Sequence, residues 1–128
     1  MTLYFLGAKS MNINPNSSKG SRYNRNFNDV LQVTIKETLL GIFGAKSTKT
    51  IFKTMEKVHS IRLDDVSSKS HTFDVALKDI LGTGHQIVED MILENLFDKT
   101  GKVFEYRENF SFSDYVNSIK DSSSMKRN

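Results

Sequence analysis

Through the middle of the chain the apolar positions recur at helical spacing, not in the strict alternation of a strand. After Asn28 and Asp29, both good N-caps, the segment Val30–Phe43 carries Val30, Leu31, Ile35, Leu39, Leu40, Ile42 and Phe43. That is too dense for one narrow stripe, and it predicts a well-buried first helix. Gly44 supplies a stop, and Ser47 can cap a second helix over Thr48–His59. The second helix is amphipathic. Ile51, Phe52, Met55 and Val58 share one face, and Lys46, Lys49, Lys53 and Lys57 form a ridge on the other. Residues 60–70 are a polar connection pinned by Ile61, Leu63 and Val66.

Helical spacing returns with Phe73, Ala76, Leu77, Ile80 and Leu81, and Gly82-Thr83-Gly84 ends that third helix. A fourth runs from about His85 to Lys99, closed by Gly101. Its expected core face is Ile87, Val88, Met91, Ile92 and Leu96. Leu93 and Phe97 fall outside that face, and Asp90, Glu94 and Asp98 make an acidic ridge. Past Gly101, Val103, Phe104, Tyr106, Phe110, Phe112, Tyr115, Val116 and Ile119 need cover. Ser111 or Ser113 can cap a short helix ending near Lys120, with Phe112, Tyr115, Val116 and Ile119 on one side. The fold class is all-α: a compact bundle of two helical hairpins, about four core helices, with a short C-terminal fifth helix.

Composition divides the chain. Residues 1–27 hold Lys9, Lys19, Arg22 and Arg25 with no acid, among many Asn, Ser and Gly, and are expected to be a flexible basic arm. Residues 28–101 form the helical core domain, 102–121 an aromatic-rich extension docked on it, and 122–128 a disordered tail. The arm is net +4, the core −2 and the remainder +1, giving the chain's +3. The high pI of about 9.1 is therefore mostly an end effect, which weakens its value as a sign of nucleic-acid binding. With 38% hydrophobic and 26% charged residues over 128 positions, one folded domain is expected. No Cys is present, which removes disulfides, thiolate metal sites and cysteine nucleophiles and fits a reducing compartment. The apolar run Leu3–Leu6 follows no basic residue and is too short for a signal core or a membrane span. A cytoplasmic protein without membrane contact is the expectation.

The run Glu37-Thr38-Leu39-Leu40-Gly41-Ile42-Phe43-Gly44, then Phe73-Asp74-Val75-Ala76-Leu77 leading to Ile80-Leu81-Gly82-Thr83-Gly84, then Ile92–Leu96 and Gly101, resembles a small archaeal family, the fifth type of Nitrosopumilus output domain. The likeness covers roughly residues 30–104 and rests on packing motifs. It implies an all-helical domain from archaeal signalling or transcriptional regulation, with no assigned ligand or reaction, and it carries over no catalytic residue.

The residues themselves offer little reactive chemistry. The lysine ridge can follow nucleic-acid phosphates, yet it has no Arg, Asn or Gln suited to bidentate base contacts, and a solvated face explains it as well. His59, His71 and His85 are weighed as metal ligands, with Glu89 one turn after His85. Spacing brings no further histidine to that pair, so no metal and no cofactor are expected. Gly82-Thr83-Gly84 lacks the strand, later glycine and lysine of a nucleotide loop. No Ser, His and Asp spacing suggests a nucleophile with its base, and the acids are expected on exposed helical faces where general-acid tuning fails.

The expected function is therefore that of a non-catalytic regulatory interaction domain binding a protein partner or itself, as in a homodimer. Leu93, Phe97, Phe110, Phe112 and Tyr115 are the candidate partner contacts. The alternative is a DNA-associated regulator using the basic arm with Lys46, Lys49, Lys53 and Lys57. A small-molecule sensor would require a cavity that the sequence does not reveal.

Overall fold

Gly44 takes φ 84° and ψ 172°, a backbone conformation essentially reserved for glycine, and it kinks the long helix α1, Tyr23–His59. The computed structural model of the chain describes residues 23–126. Past α1 come a 3₁₀ turn at Leu63–Asp65, α2 at Ser70–Leu81, a second 3₁₀ turn at Gly82–Gly84, α3 at His85–Lys99 and α4 at Phe112–Lys126. The architecture is all-α, with no strand among the described residues, and no described helix is long and apolar enough to cross a membrane.

The core forms where the helical stripes meet. Before its kink α1 buries Phe27, Leu31, Ile35 and Leu39 at i, i+4 spacing, and after it Ile51 and Met55. Thr34 and Thr38 lie in the same buried region because each hydroxyl donates to the carbonyl four residues back, both at 2.7 Å. Ser60 ends the helix with φ 55° as its N–H donates to Glu56 O at 3.1 Å. Ile61 and Val66 then anchor the connection in the core. α1 packs most extensively on α3 and also meets α2 and α4, while α4 contacts α2 and α3.

The start of α4 is a reciprocal capping box: Asp114 N–H donates to Ser111 Oγ at 3.1 Å and Ser111 N–H to Asp114 Oδ2 at 2.9 Å. Phe112, Tyr115, Val116 and Ile119 are its buried face. Tyr115 holds down the irregular segment 100–111. Its hydroxyl accepts from Arg107 N–H at 2.6 Å and donates to Arg107 O at 3.2 Å, and its ring meets Phe104 and Phe110 at 5.4 and 5.0 Å.

Several expectations are corrected. The first helix begins at Tyr23 and Phe27 is 4% exposed, so apolar burial draws this end of the proposed arm into the core. Lys9, Lys19 and Arg22 lie outside the described residues. At the other end α4 runs on to Lys126, into the segment expected to be a tail. Leu40, Ile42 and Val58, assigned to buried faces, are 37%, 37% and 61% exposed, because α1 meets its neighbours along one stripe only. The largest correction concerns α3. Its buried residues are His85, Val88, Glu89, Ile92, Leu93 and Leu96, whereas Ile87 and Met91 face outward. At 100° per residue the true stripe is rotated by about 80° from the expected one. Hydrophobicity alone pointed to the wrong phase because two polar residues occupy the buried stripe.

Candidate functional site

Those two polar residues stand in a cleft of about 470 Å³ between α2, α3, the start of α4 and the segment before it. Its floor is polar and its walls include Leu93, Phe104, Phe110 and Tyr115. Asp74 reaches it from α2, His85 and Glu89 from α3. The Gly82–Gly84 turn makes this convergence possible. Gly82, at φ 66°, ends α2, and the single 3₁₀ turn starts α3 at His85 with the side chains of both helices facing one space.

The same turn orients the imidazole. His85 Nδ1 lies 2.9 Å from Gly82 O, and because a carbonyl only accepts, Nδ1 carries a hydrogen. In the neutral ring Nε2 then presents its lone pair to the carboxylates, 3.5 Å from Asp74 Oδ1 and 4.0 Å from Glu89 Oε1. One ligand atom from each of the three residues falls within 4.8 Å of the others. His85 and Glu89 are each 7% exposed, and Asp74 is half-buried.

Glu89 is the most perturbed group. Burial pushes its carboxyl up to about 10, helped by a side-chain hydrogen bond with Asp74 and by the charges of Asp74 and Asp90. Its Oε2 is buried with no hydrogen-bond partner among the described residues. The expectation that every acid sits on an exposed face is therefore corrected at Glu89, while Asp90, Glu94 and Asp98 are exposed as their spacing implies. Only the i, i+4 spacing of His85 and Glu89 was visible in the sequence. The third member is a carboxylate from the preceding helix, not another histidine. His59 instead pairs with Asp79, Nε2 to Oδ2 at 3.0 Å, and His71 is exposed.

The candidate partner contacts fall elsewhere than expected. Leu93, Phe112 and Tyr115 are 2%, 5% and 6% exposed, so they serve the chain's own core. Phe97 and Phe110 are half-buried in the aromatic cluster, Phe97 meeting Phe104 at 5.2 Å edge to face. These side chains are withdrawn from a docking surface because they cover one another. On the same segment Val103 and Tyr106 are 81% and 79% exposed. Lys46, Lys49, Lys53 and Lys57 are all exposed, and none forms a salt bridge among the described residues. Lys53 and Lys57 border an open depression with Thr50, Thr54 and Glu56.

No family model matches the chain, and neither a curated protein nor a solved structure does.

Proposed function

We propose that this chain is a non-catalytic, cytoplasmic regulatory domain of the archaeal output-domain kind, which takes its input in the cleft and acts through protein contact. The observation that carries the reading is the cleft itself, a concave space where several titratable groups converge beside aromatic side chains. In this reading α1 bent at Gly44 and the α2–α3 pair are the two hairpins, with α4 as the additional helix. The output surface is the segment over the cleft. Phe104, Tyr106 and Phe110 line the cleft while Val103 and Tyr106 are largely open to solvent, so a ligand that shifts the lining residues of this segment also shifts its exposed ones.

The test is photo-crosslinking in cells of the source organism, with a photoreactive residue at position 103 or 106. A discrete protein adduct, whether to a second copy or to another chain, is expected there and not from a control at the exposed Val58. Diffuse adducts alike at all three positions would overturn the reading.

The lysine ridge favours a second reading, DNA association through phosphate contacts, since all four ammonium groups are exposed and outside any salt bridge among the described residues. Binding of labelled duplex DNA would then fall steeply with salt, and Lys49→Gln with Lys53→Gln would flatten that slope. Salt-independent anisotropy at the free-DNA value would remove it.

A further inference from the structure

We infer that Asp74, His85 and Glu89 form a binding site for one divalent transition-metal ion of the zinc class, with the cleft as its open side. The inference deepens the reading of the cleft as an input site and rests on it for its biological role, although binding itself requires only the three side chains.

Three features of the cluster point to a cation. The first is convergence: an imidazole nitrogen and two carboxylates, from two helices, place ligand atoms within 4.8 Å of one another. With bonds of about 2.1 Å, the edge of a tetrahedral site is about 3.4 Å. The 3.5 Å from His85 Nε2 to Asp74 Oδ1 matches that edge, and the 4.0 Å to Glu89 Oε1 closes to it by a small side-chain rotation. The second feature is Glu89, 7% exposed, which lines the cleft and whose Oε2 is buried without a hydrogen-bond partner among the described residues. A buried carboxyl oxygen in this state is costly unless a proton or a cation sits against it, and a dication held by the three ligands would take the proton's place. The third is the carbonyl of Gly82, which holds Nδ1–H and leaves Nε2 as the coordinating atom, the outer-sphere support usual for a metal-bound histidine.

The donor set selects the class of ion. An all-oxygen site would suit magnesium or calcium, whereas an imidazole with two carboxylates suits zinc and its neighbours in the first transition row. Three protein ligands leave a fourth position for water or a small anionic ligand from the cleft, the arrangement of an open site. The two ligand carboxylates balance a dication, and the exposed Asp90 and Lys78, which also line the cleft, carry opposite charges. Position 89 lies on a stripe whose other members include Val88, Ile92, Leu93 and Leu96, so an apolar residue would fit there without the desolvation cost. Coordination gives a carboxylate at that position a use.

The test uses the full-length chain without an affinity tag, stripped with chelator and titrated with Zn²⁺ by calorimetry and with Co²⁺ by visible absorption. One equivalent is expected to bind, with the ligand-field bands of a low-coordinate Co²⁺ site that Zn²⁺ abolishes. Glu89→Gln and Asp74→Asn keep size and shape. Each is expected to weaken binding beyond the roughly 10–100-fold that the loss of an outer-sphere partner costs. Retained helical circular dichroism shows that each variant is folded, and if one is not, the other carries the comparison. His59→Gln with His71→Gln, which removes the remaining imidazoles, is expected to bind as the unaltered chain does. The inference is overturned by the absence of saturable binding near one equivalent, by unchanged affinity in folded Glu89→Gln or Asp74→Asn, or by loss of binding in the His59 and His71 variant. Any of these would leave the crosslinking result at Val103 and Tyr106 intact, so the two proposals fail separately.

Discussion

His85 Nε2 lies 3.5 Å from Asp74 Oδ1, and the contact joins the start of α3 to the middle of α2 across a turn of only three residues. That relationship makes the cleft polar at its floor. It depends on Gly82 at φ 66° ending one helix and on the Gly82 carbonyl holding the imidazole of the next.

Glu89 makes the stability of the chelator-treated chain depend on pH. Its folded pKa of about 10 stands above the ordinary 4.5, so between these values the folded chain keeps a proton that the unfolded chain has released. The contribution is fully present below pH 4.5 and is lost as pH rises toward about 10. Asp74, His85, Asp90 and Lys78 also border the cleft, so the slope belongs to the cluster, and its expected size is about 1 kcal/mol per pH unit. Urea unfolding at about pH 6 and about pH 8 checks this: Glu89→Gln should be the more stable protein, by a margin that widens with pH. A margin that stays the same at the two pH values would show that Glu89 is ionised in the fold.

The phase of α3 can be tested by truncation. Leu93→Ala should cost about 2–5 kcal/mol because the side chain is 2% exposed and its loss leaves a cavity. Ile87→Ala should change stability by no more than about 0.5 kcal/mol, since Ile87 is 67% exposed. Chemical denaturation of the two variants gives the answer, and the reverse order would restore the face expected from hydrophobicity.

Much of the helical organisation was legible because period and punctuation agree. Gly44 and Gly82 sit where helices bend or stop, and Phe73, Ala76, Leu77, Phe112, Tyr115, Val116 and Ile119 are buried in the registers their spacing implies. α3 was not legible in the same way. It carries apolar residues nearly all round, so packing against α1 selected one stripe among several, and that stripe includes His85 and Glu89. The site was half visible for a related reason. An i, i+4 pair on one helix is local information, but the approach of Asp74 is set by the angle of the Gly82–Gly84 turn, which sequence spacing does not encode. Leu93 and Phe97 lie off the face that hydrophobicity favours, yet packing turns Leu93 fully and Phe97 partly inward.

Tyr115 should hold segment 100–111 in place. Tyr115→Phe keeps the ring contacts with Phe104 and Phe110 but removes both hydrogen bonds to Arg107, at an expected cost of about 1–3 kcal/mol. Hydrogen exchange followed by mass spectrometry should show faster exchange over residues 102–110, with α1 unchanged. Equal acceleration in both regions would mean that the segment is not a separate unit.

Gly44→Ala tests the kink. A Cβ would meet nothing nearby, so the penalty comes from the backbone at φ 84° and ψ 172°. The expected loss is about 1–3 kcal/mol, read as a lower thermal midpoint. An unchanged or raised midpoint would indicate a continuous helix through position 44.

The most direct measurement is a crystal structure of the full chain grown with Zn²⁺, with diffraction recorded on both sides of the zinc absorption edge. A single anomalous peak about 2.1 Å from the Asp74 and Glu89 carboxylates and His85 Nε2 is the predicted result. Zinc held instead by His59 and Asp79, or found nowhere in the cleft, would contradict the assignment of this site.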